Sequence, residues 1–206
     1  MPSKVAVITG AASGIGLALT RDLVFKGWNV VMGDINEKTG TSLAGGLGNA
    51  VRFKRTDVSD WDQLAALFKL AWTTWGRIDF HAANAGIDDR ESLYGPTAAS
   101  EGGEPSRPDL STVHVDLFSV LYGVRLSLHY FRKNAVPGGK IVVTGSSAGL
   151  YPLPPIPQYT ACKHAVGASK PTSGAWGCVL GEYAKAWSLT CRRRSTGSHG
   201  QWPSRC

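Results

Sequence analysis

A turn with glycines at three fixed places constrains this chain more than any other feature. Thr9-Gly-Ala-Ala-Ser-Gly-Ile-Gly16 follows Val5-Ala-Val-Ile-Thr9, a short β-branched run of the kind that forms a buried parallel strand. It leads into Gly14 to Phe25, where Ile15, Leu19, Leu23 and Val24 recur at helical spacing. Glycines there let the backbone turn tightly and approach another group closely. The helix N-terminus beyond adds free N–H groups and a positive dipole end. Gly10, Gly14 and Gly16, with Ile15 among them and the Ser13 hydroxyl as a further donor, therefore form a candidate cradle for a pyrophosphate. The competing reading is a purely structural turn.

The rest of the chain repeats the same alternation. Strands are predicted at Asn29–Met32, Val51–Lys54, Arg77–Ala82 and Lys140–Thr144. Helices are predicted from Asn36 to Leu43, ended by the glycines at 45, 46 and 48, and from Asp60, a plausible N-cap, to Trp75. Two more are predicted, Asp109 to Lys133 and Gln158 to about Ala168. Residues 87–108 are polar and rich in Gly, Pro and Ser, and read as a surface loop. Tyr151 to Pro157 carries four prolines and reads as irregular. Strand–helix units in series predict an α/β fold, a parallel sheet with helices on both faces and about five recognisable strands. After Ser169 the pattern fails. Pro171 to Gly177 looks turn-like, no sixth strand is legible, and the fifth strand is expected to be a sheet edge. The organisation expected is a domain over 1–170 and an atypical, poorly ordered basic tail over 171–206.

Charge and composition narrow the function classes. Apolar residues make up 43% of the 206-residue chain and charged residues 18%, so it reads as globular. The net charge is +7, but residues 1–170 hold 17 basic and 14 acidic residues while 171–206 hold 5 and 1. The excess is concentrated in the tail, which argues against a nucleic-acid site. No apolar run approaches the roughly 20 residues of a membrane span. Nor does the N-terminus show a secretory pattern, so a cytoplasmic location is expected. Cys162, Cys178, Cys191 and Cys206 have no zinc-ligand spacing, and no metal site is expected.

Asp34 stands at the end of the second strand, 18 residues after Gly16. A carboxylate there can accept hydrogen bonds from an adenosine ribose and repels a 2′-phosphate, and the glycine turn carries no Arg or Lys. Both points favour NAD over NADP, although Lys38 nearby leaves room for a phosphate. The plainer reading of Asp34 is a cap on the following helix.

These motifs, with four more, resemble the short-chain dehydrogenase/reductase family over residues 4–169. Asp57-Val58 follows the third strand, where the family commonly contacts adenine. Asn84-Ala85-Gly86 is similar to the family's NAG motif beside the cofactor. Ser146 precedes Tyr159 by 13 residues, and Tyr159-Thr-Ala-Cys-Lys163 matches YxxxK. The run Leu150 to Pro157 resembles fungal members similar to hydroxyprostaglandin dehydrogenases.

The resemblance implies a Rossmann-like doubly wound sheet and hydride transfer between a nicotinamide and a secondary alcohol or ketone. In that scheme Tyr159 is the acid/base. A free phenol titrates near ~10, and an ammonium one helical turn away, as Lys163 would be, favours the phenolate. Ser146 would hold the substrate oxygen, with Ser147 as the fallback. Tyr159 and Lys163 would also contact the cofactor. The Pro-rich run and Leu93-Tyr94 suggest an apolar substrate wall, for a lipid-like, polyketide or terpenoid molecule as in secondary metabolism. Dimers or tetramers through the two long helices are implied as well.

Two departures stand out. Val115-Asp-Leu117 places Asp116 where the family carries a relay asparagine, adding a negative charge near Lys163. The tail lacks the family's last strands and substrate lid, and reads like sequence from another frame or splice. The alternative function is therefore a non-catalytic nucleotide-binding remnant or regulator; a weaker one is a basic tail that binds an acidic partner.

Overall fold

In the computed structural model the described residues are 3–95, 103–168 and, for the backbone alone, 176–180. The elements run β1 (Val5–Thr9), α1 (Gly14–Phe25), β2 (Asn29–Asp34), α2 (Glu37–Leu47), β3 (Val51–Arg55), α3 (Trp61–Trp75) and β4 (Phe80–Ala83). A long helix follows in three parts: α4 (Ser111–Val113), a π-helical turn His114–Phe118, and α5 (Ser119–Lys133). Then come β5 (Lys140–Gly145), a short 3-10 turn Ser147–Gly149, α6 (Pro157–Ala168) and β6 (Trp176–Leu180).

All pairings are parallel, and the strand order is β3-β2-β1-β4-β5-β6. The chain winds outward from β1 to β3, then returns to β4 beside β1 and winds the other way. The reversal leaves a crevice outside the carboxyl ends of β1 and β4, where open α/β sheets bind ligands.

Side-chain alternation builds the layers. Along β1, Val5 and Val7 join a cluster with Leu64, Leu67, Phe68 and Val120 from α3 and α5. Ala6 and Ile8 join the opposite cluster with Leu23 of α1 and Val30 and Met32 of β2. Every β1 side chain is buried, so the strand is apolar throughout rather than alternating. Both faces are covered, which makes the sheet doubly wound as the sequence implies.

Local signals set the ends of the helices. Asp60 caps α3 by accepting from the backbone N–H groups of Asp62 and Gln63, and Gly76 ends it in the left-handed conformation at φ 69°. Asn36, rather than Asp34, caps α2 through a bond from Thr39 N–H.

The structure differs from the sequence expectation at two elements. The glycines at 45 and 46 do not end α2, which runs on to Leu47. Leu43, Ala44 and Leu47 pack against the core, and that burial offsets the roughly 1 kcal/mol that each helical glycine costs. The helix stops at Gly48, at φ 82°.

The second difference is β6. The expectation that β5 forms a sheet edge is corrected, because Ile141 to Gly145 pair in register with Trp176 to Leu180. Trp-Gly-Cys-Val-Leu is a short apolar run, but its glycine and the preceding Pro171 to Gly174 stretch mask the strand signal. The remainder of the tail expectation lies outside the described residues. Among the described residues no helix is long and apolar enough to cross a membrane.

Candidate active site

A cavity of about 870 Å³ opens at the crevice between β1 and β4. Its walls include Gly10, Ser13, Gly14 and Ile15 of the glycine turn, Asp34, Asp57, Val58, Asn84, Ala85 and Gly86, and finally Tyr159 and Lys163 of α6. Sequence positions 150 residues apart thus meet around one space. Gly16, Asp116 and Ser146 do not line it. Nor do Leu93, Tyr94 or the stretch Tyr151–Ile156, most of which is exposed elsewhere.

The glycine turn fits a bound pyrophosphate on its own geometry. Gly14 adopts φ 49°, and a Cβ there would meet nothing within 4 Å, so open space lies beside the backbone. Ser13 occupies the N-cap position of α1 without making a side-chain capping bond, and the first turn carries no acidic residue. The donors at that helix end are therefore left for an anion. Gly16 has a different reason to be glycine: a Cβ would sit 2.2 Å from the Gly10 carbonyl oxygen. It packs α1 against the turn and does not line this cavity.

Backbone donors fix the Asp34 carboxylate on the cavity wall. Oδ2 accepts from Ala12 N–H at 2.9 Å and Oδ1 from Asn36 N–H at 2.9 Å. Asp57 is similarly set by Ser59, whose N–H and hydroxyl both donate to Oδ1. Asn84 works as a stitch. Its amide donates to the carbonyls of Thr9 and Gly10, and its Oδ1 accepts from the Thr144 hydroxyl at 2.9 Å. The Thr9 hydroxyl accepts from Asn84 N–H at 3.0 Å. Together they lock β1, β4 and β5 at the cavity floor.

The far end of the cavity is built on α6. Tyr159 and Lys163 lie one turn apart, with the ammonium 5.1 Å from the centre of the phenol ring. Lys163 is 7% exposed, donates to the Thr144 carbonyl at 3.3 Å, and lies 2.9 Å from Asp116 Oδ2. That last contact is a buried ion pair. Asp116 Oδ1 accepts from Ile87 N–H at 2.7 Å. Its carboxylate is fully buried, and burial pushes it above the usual carboxylate range while Lys163 opposes the shift.

Asp116 reaches Lys163 from the π-helical turn, an irregularity that tends to accompany functional positions. Gly86 makes room for it, because a Cβ there would stand 2.8 Å from Oδ2. Ser146 caps the 3-10 turn, its Oγ accepting from Ala148 N–H at 3.1 Å, and its own proton stays available to donate. Gly149 brings that turn against α6, where a Cβ would lie 2.8 Å from the Lys163 carbonyl oxygen. Cys162 beside Lys163 is free and buried, and burial pushes its thiol up to about 11. No metal-holding group of His, Cys, Asp or Glu occurs among the described residues.

Sequence reasoning missed several wall and support residues. Thr56, Asp88, Arg90, Ser111 and His114 also line the cavity. Asp89 between two of them is not in its wall and accepts from the N–H groups of Gln158 and Tyr159. The available signal was indirect: α6 starts after a proline-rich stretch with the apolar Ile156 before it, so its own sequence offers no capping side chain.

Comparison with known proteins bears on the part of this architecture that ends with α6. The model of the short chain dehydrogenase family matches residues 4–169. The short-chain dehydrogenase/reductase prx6 of Penicillium rubens is 39% identical over 174 residues, covering 79% of this chain and 58% of that protein. The NAD(+)-dependent 15-hydroxyprostaglandin dehydrogenase of Rattus norvegicus is 33% identical over 169 residues, with the same coverage of 79% and 58%. The chain thus spans a little under three fifths of these relatives. Among solved structures, a short chain dehydrogenase/reductase of Burkholderia phymatum in complex with NAD superposes with a TM-score of 0.72 at 31% identity. It covers 87% of this chain and 64% of its own. The 3-ketoacyl-(acyl-carrier-protein) reductase of Brucella melitensis, complexed with NADH, gives 0.68 at 25% identity, covering 81% and 66%.

Proposed function

The chain belongs to the short-chain dehydrogenase family, and from that premise we propose that it moves a hydride between a nicotinamide and a secondary alcohol or ketone, with NAD preferred to NADP. The observation that carries the reading is the shared cavity. Tyr159 and Lys163 line the same space as Gly10, Ser13, Gly14 and Asp34.

The residues divide the work. The glycine turn and the start of α1 hold the pyrophosphate. The Asp34 carboxylate accepts from the adenosine ribose, and its charge disfavours a 2′-phosphate. Val58 and Asp57 border the adenine, and Ala85 and Gly86 flank the nicotinamide end. The nicotinamide supplies the hydride acceptor or donor. In the oxidative direction Tyr159 takes the hydroxyl proton as the carbinol carbon gives up its hydride; in the reductive direction it returns one. Lys163 sets its ammonium 5.1 Å from the centre of the phenol ring, and Asp116 holds Lys163 in place from behind. The Ser146 hydroxyl, beside the cavity rather than in its wall, would donate to a substrate oxygen that reaches it, as charge develops there.

Two further parts of the reading concern the partners. The substrate is a small apolar alcohol or ketone, and the chain acts away from membranes and nucleic acid in the cytoplasm. The exposed row Phe118, Leu121 and Leu128 on one side of the long helix suits a homodimer or homotetramer interface.

Calorimetry with NAD, run beside turnover assays on a panel of secondary alcohols, tests the proposal on the full chain. Binding with turnover supports it. Binding without turnover on any alcohol assigns the chain to the non-catalytic class, and no binding at all overturns the reading.

A further inference from the structure

We infer that Asp89 is a positioning residue for Tyr159: it caps α6 from the loop after β4 and so fixes where the phenol stands relative to Lys163. This rests on the function proposed above and adds a residue to it. Asp89 Oδ2 accepts from Gln158 N–H at 2.9 Å, and Oδ1 accepts from Tyr159 N–H at 2.7 Å. One carboxylate thus takes both of the first free donors of the helix, since Pro157 has no N–H and Thr160 N–H already reaches the Ile156 carbonyl.

The sequence of α6 explains why the cap must come from afar. Pro152, Pro154, Pro155 and Pro157 crowd its approach, and Ile156 has no side-chain oxygen. Asp89 supplies what a local Ser or Asp supplies elsewhere, across about 70 positions. Its neighbours share the arrangement. Asp88 and Arg90 face the cavity while Asp89 between them turns to the helix. Gln158, only 4% exposed, donates through Nε2 to the Asp109 carbonyl at 2.9 Å and pins the other end of the same loop to the same turn. Tyr159 is therefore held by its own amide rather than by its side chain alone. A loosened first turn would let the phenol drift while leaving the glycine turn untouched.

The test applies two readouts, amide hydrogen exchange and turnover, to two variants of the full chain, Asp89→Ala and Asp89→Asn. Amide hydrogen exchange across 156–163 is expected to speed up by roughly tenfold or more at the start of α6 in Asp89→Ala. Asp89→Asn keeps one acceptor oxygen and is expected to recover part of the protection. In turnover assays kcat is expected to fall about ten- to a hundredfold in Asp89→Ala, with NAD affinity by calorimetry unchanged, since small misplacements of a reacting group cost rate. Asp89→Asn is expected to lie between the two.

Unchanged exchange in both variants overturns the cap, whether or not any alcohol is turned over. Faster exchange with an unchanged kcat overturns the positioning role. A parallel fall in NAD affinity and kcat also overturns it, because a general loss of structure moves both. Wild-type protein without turnover sinks the oxidoreductase reading instead, and exchange alone then decides the cap.

Discussion

The Lys163 ammonium and the Asp116 carboxylate lie 2.9 Å apart, both almost wholly sealed from solvent, with Lys163 lining the cavity beside Tyr159 and Asp116 behind it. Burial raises the Asp116 carboxyl while the neighbouring ammonium opposes that shift, and removing either partner leaves the other without its contact. The same pairing divides the ammonium between a carboxylate behind it and a phenol beside it.

Asp116→Ala is expected to lower unfolding stability by about 3 kcal/mol, because it strands the ammonium and leaves Ile87 N–H without its acceptor. Lys163→Met has a different signature. Its stranded carboxyl can neutralise itself by taking a proton, so its native pKa lies above its unfolded value. The stability of that variant is then fullest at low pH and is lost as pH rises through the native pKa. Urea unfolding of both variants from pH 4 to pH 8 checks this. A Lys163→Met deficit that shrinks as pH rises would contradict it.

His81 carries a second pH dependence with the opposite course. Its Nδ1 lies 3.1 Å from the Val7 carbonyl and so carries the proton, while Nε2 faces Gly123, where a Cβ would be 2.5 Å away. Burial lowers this imidazole from 6.5 to about 4. The unfolded chain therefore binds a proton that the folded chain refuses. Stability is complete above about 6.5 and is lost as pH falls toward 4, by about 3 kcal/mol in all. His81→Gln should flatten this limb of the unfolding free energy; an unaltered slope would place the acid sensitivity elsewhere.

Asp34→Ala should relax the proposed preference for NAD over NADP by roughly tenfold, about 1.4 kcal/mol, because it removes the carboxylate proposed to accept from the ribose. Comparative calorimetry with the two dinucleotides measures it. An unchanged ratio would confine Asp34 to its bonds with Ala12 and Asn36.

How far the sequence could be read depended on the distance over which each feature is determined. The glycine turn and the Tyr159–Lys163 pair were legible because a strand–turn–helix and a single helical turn are local. The approach of Asp116 to Lys163 was legible as a concern, since the long helix and α6 were both recognisable and their motifs aligned. The Asp89 cap was not, because nothing near residue 89 marks a bond to residue 159. Ser146 ends the expected strand, but sequence could not show that its hydroxyl would cap a 3-10 turn beside the cavity rather than line it. The sixth strand escaped notice because Gly177 interrupts an apolar run of only five residues and pairing with β5 outweighs that local weakness.

The steady-state rate of Tyr159→Phe beside wild type, on an alcohol the wild type oxidises with NAD, tests the central claim most directly. The variant keeps the ring and loses one oxygen. Loss of about a thousandfold or more in kcat with NAD affinity preserved is the expected result for an acid/base removed from a formed cavity. A variant that keeps most of its rate would show that the proton travels by another group.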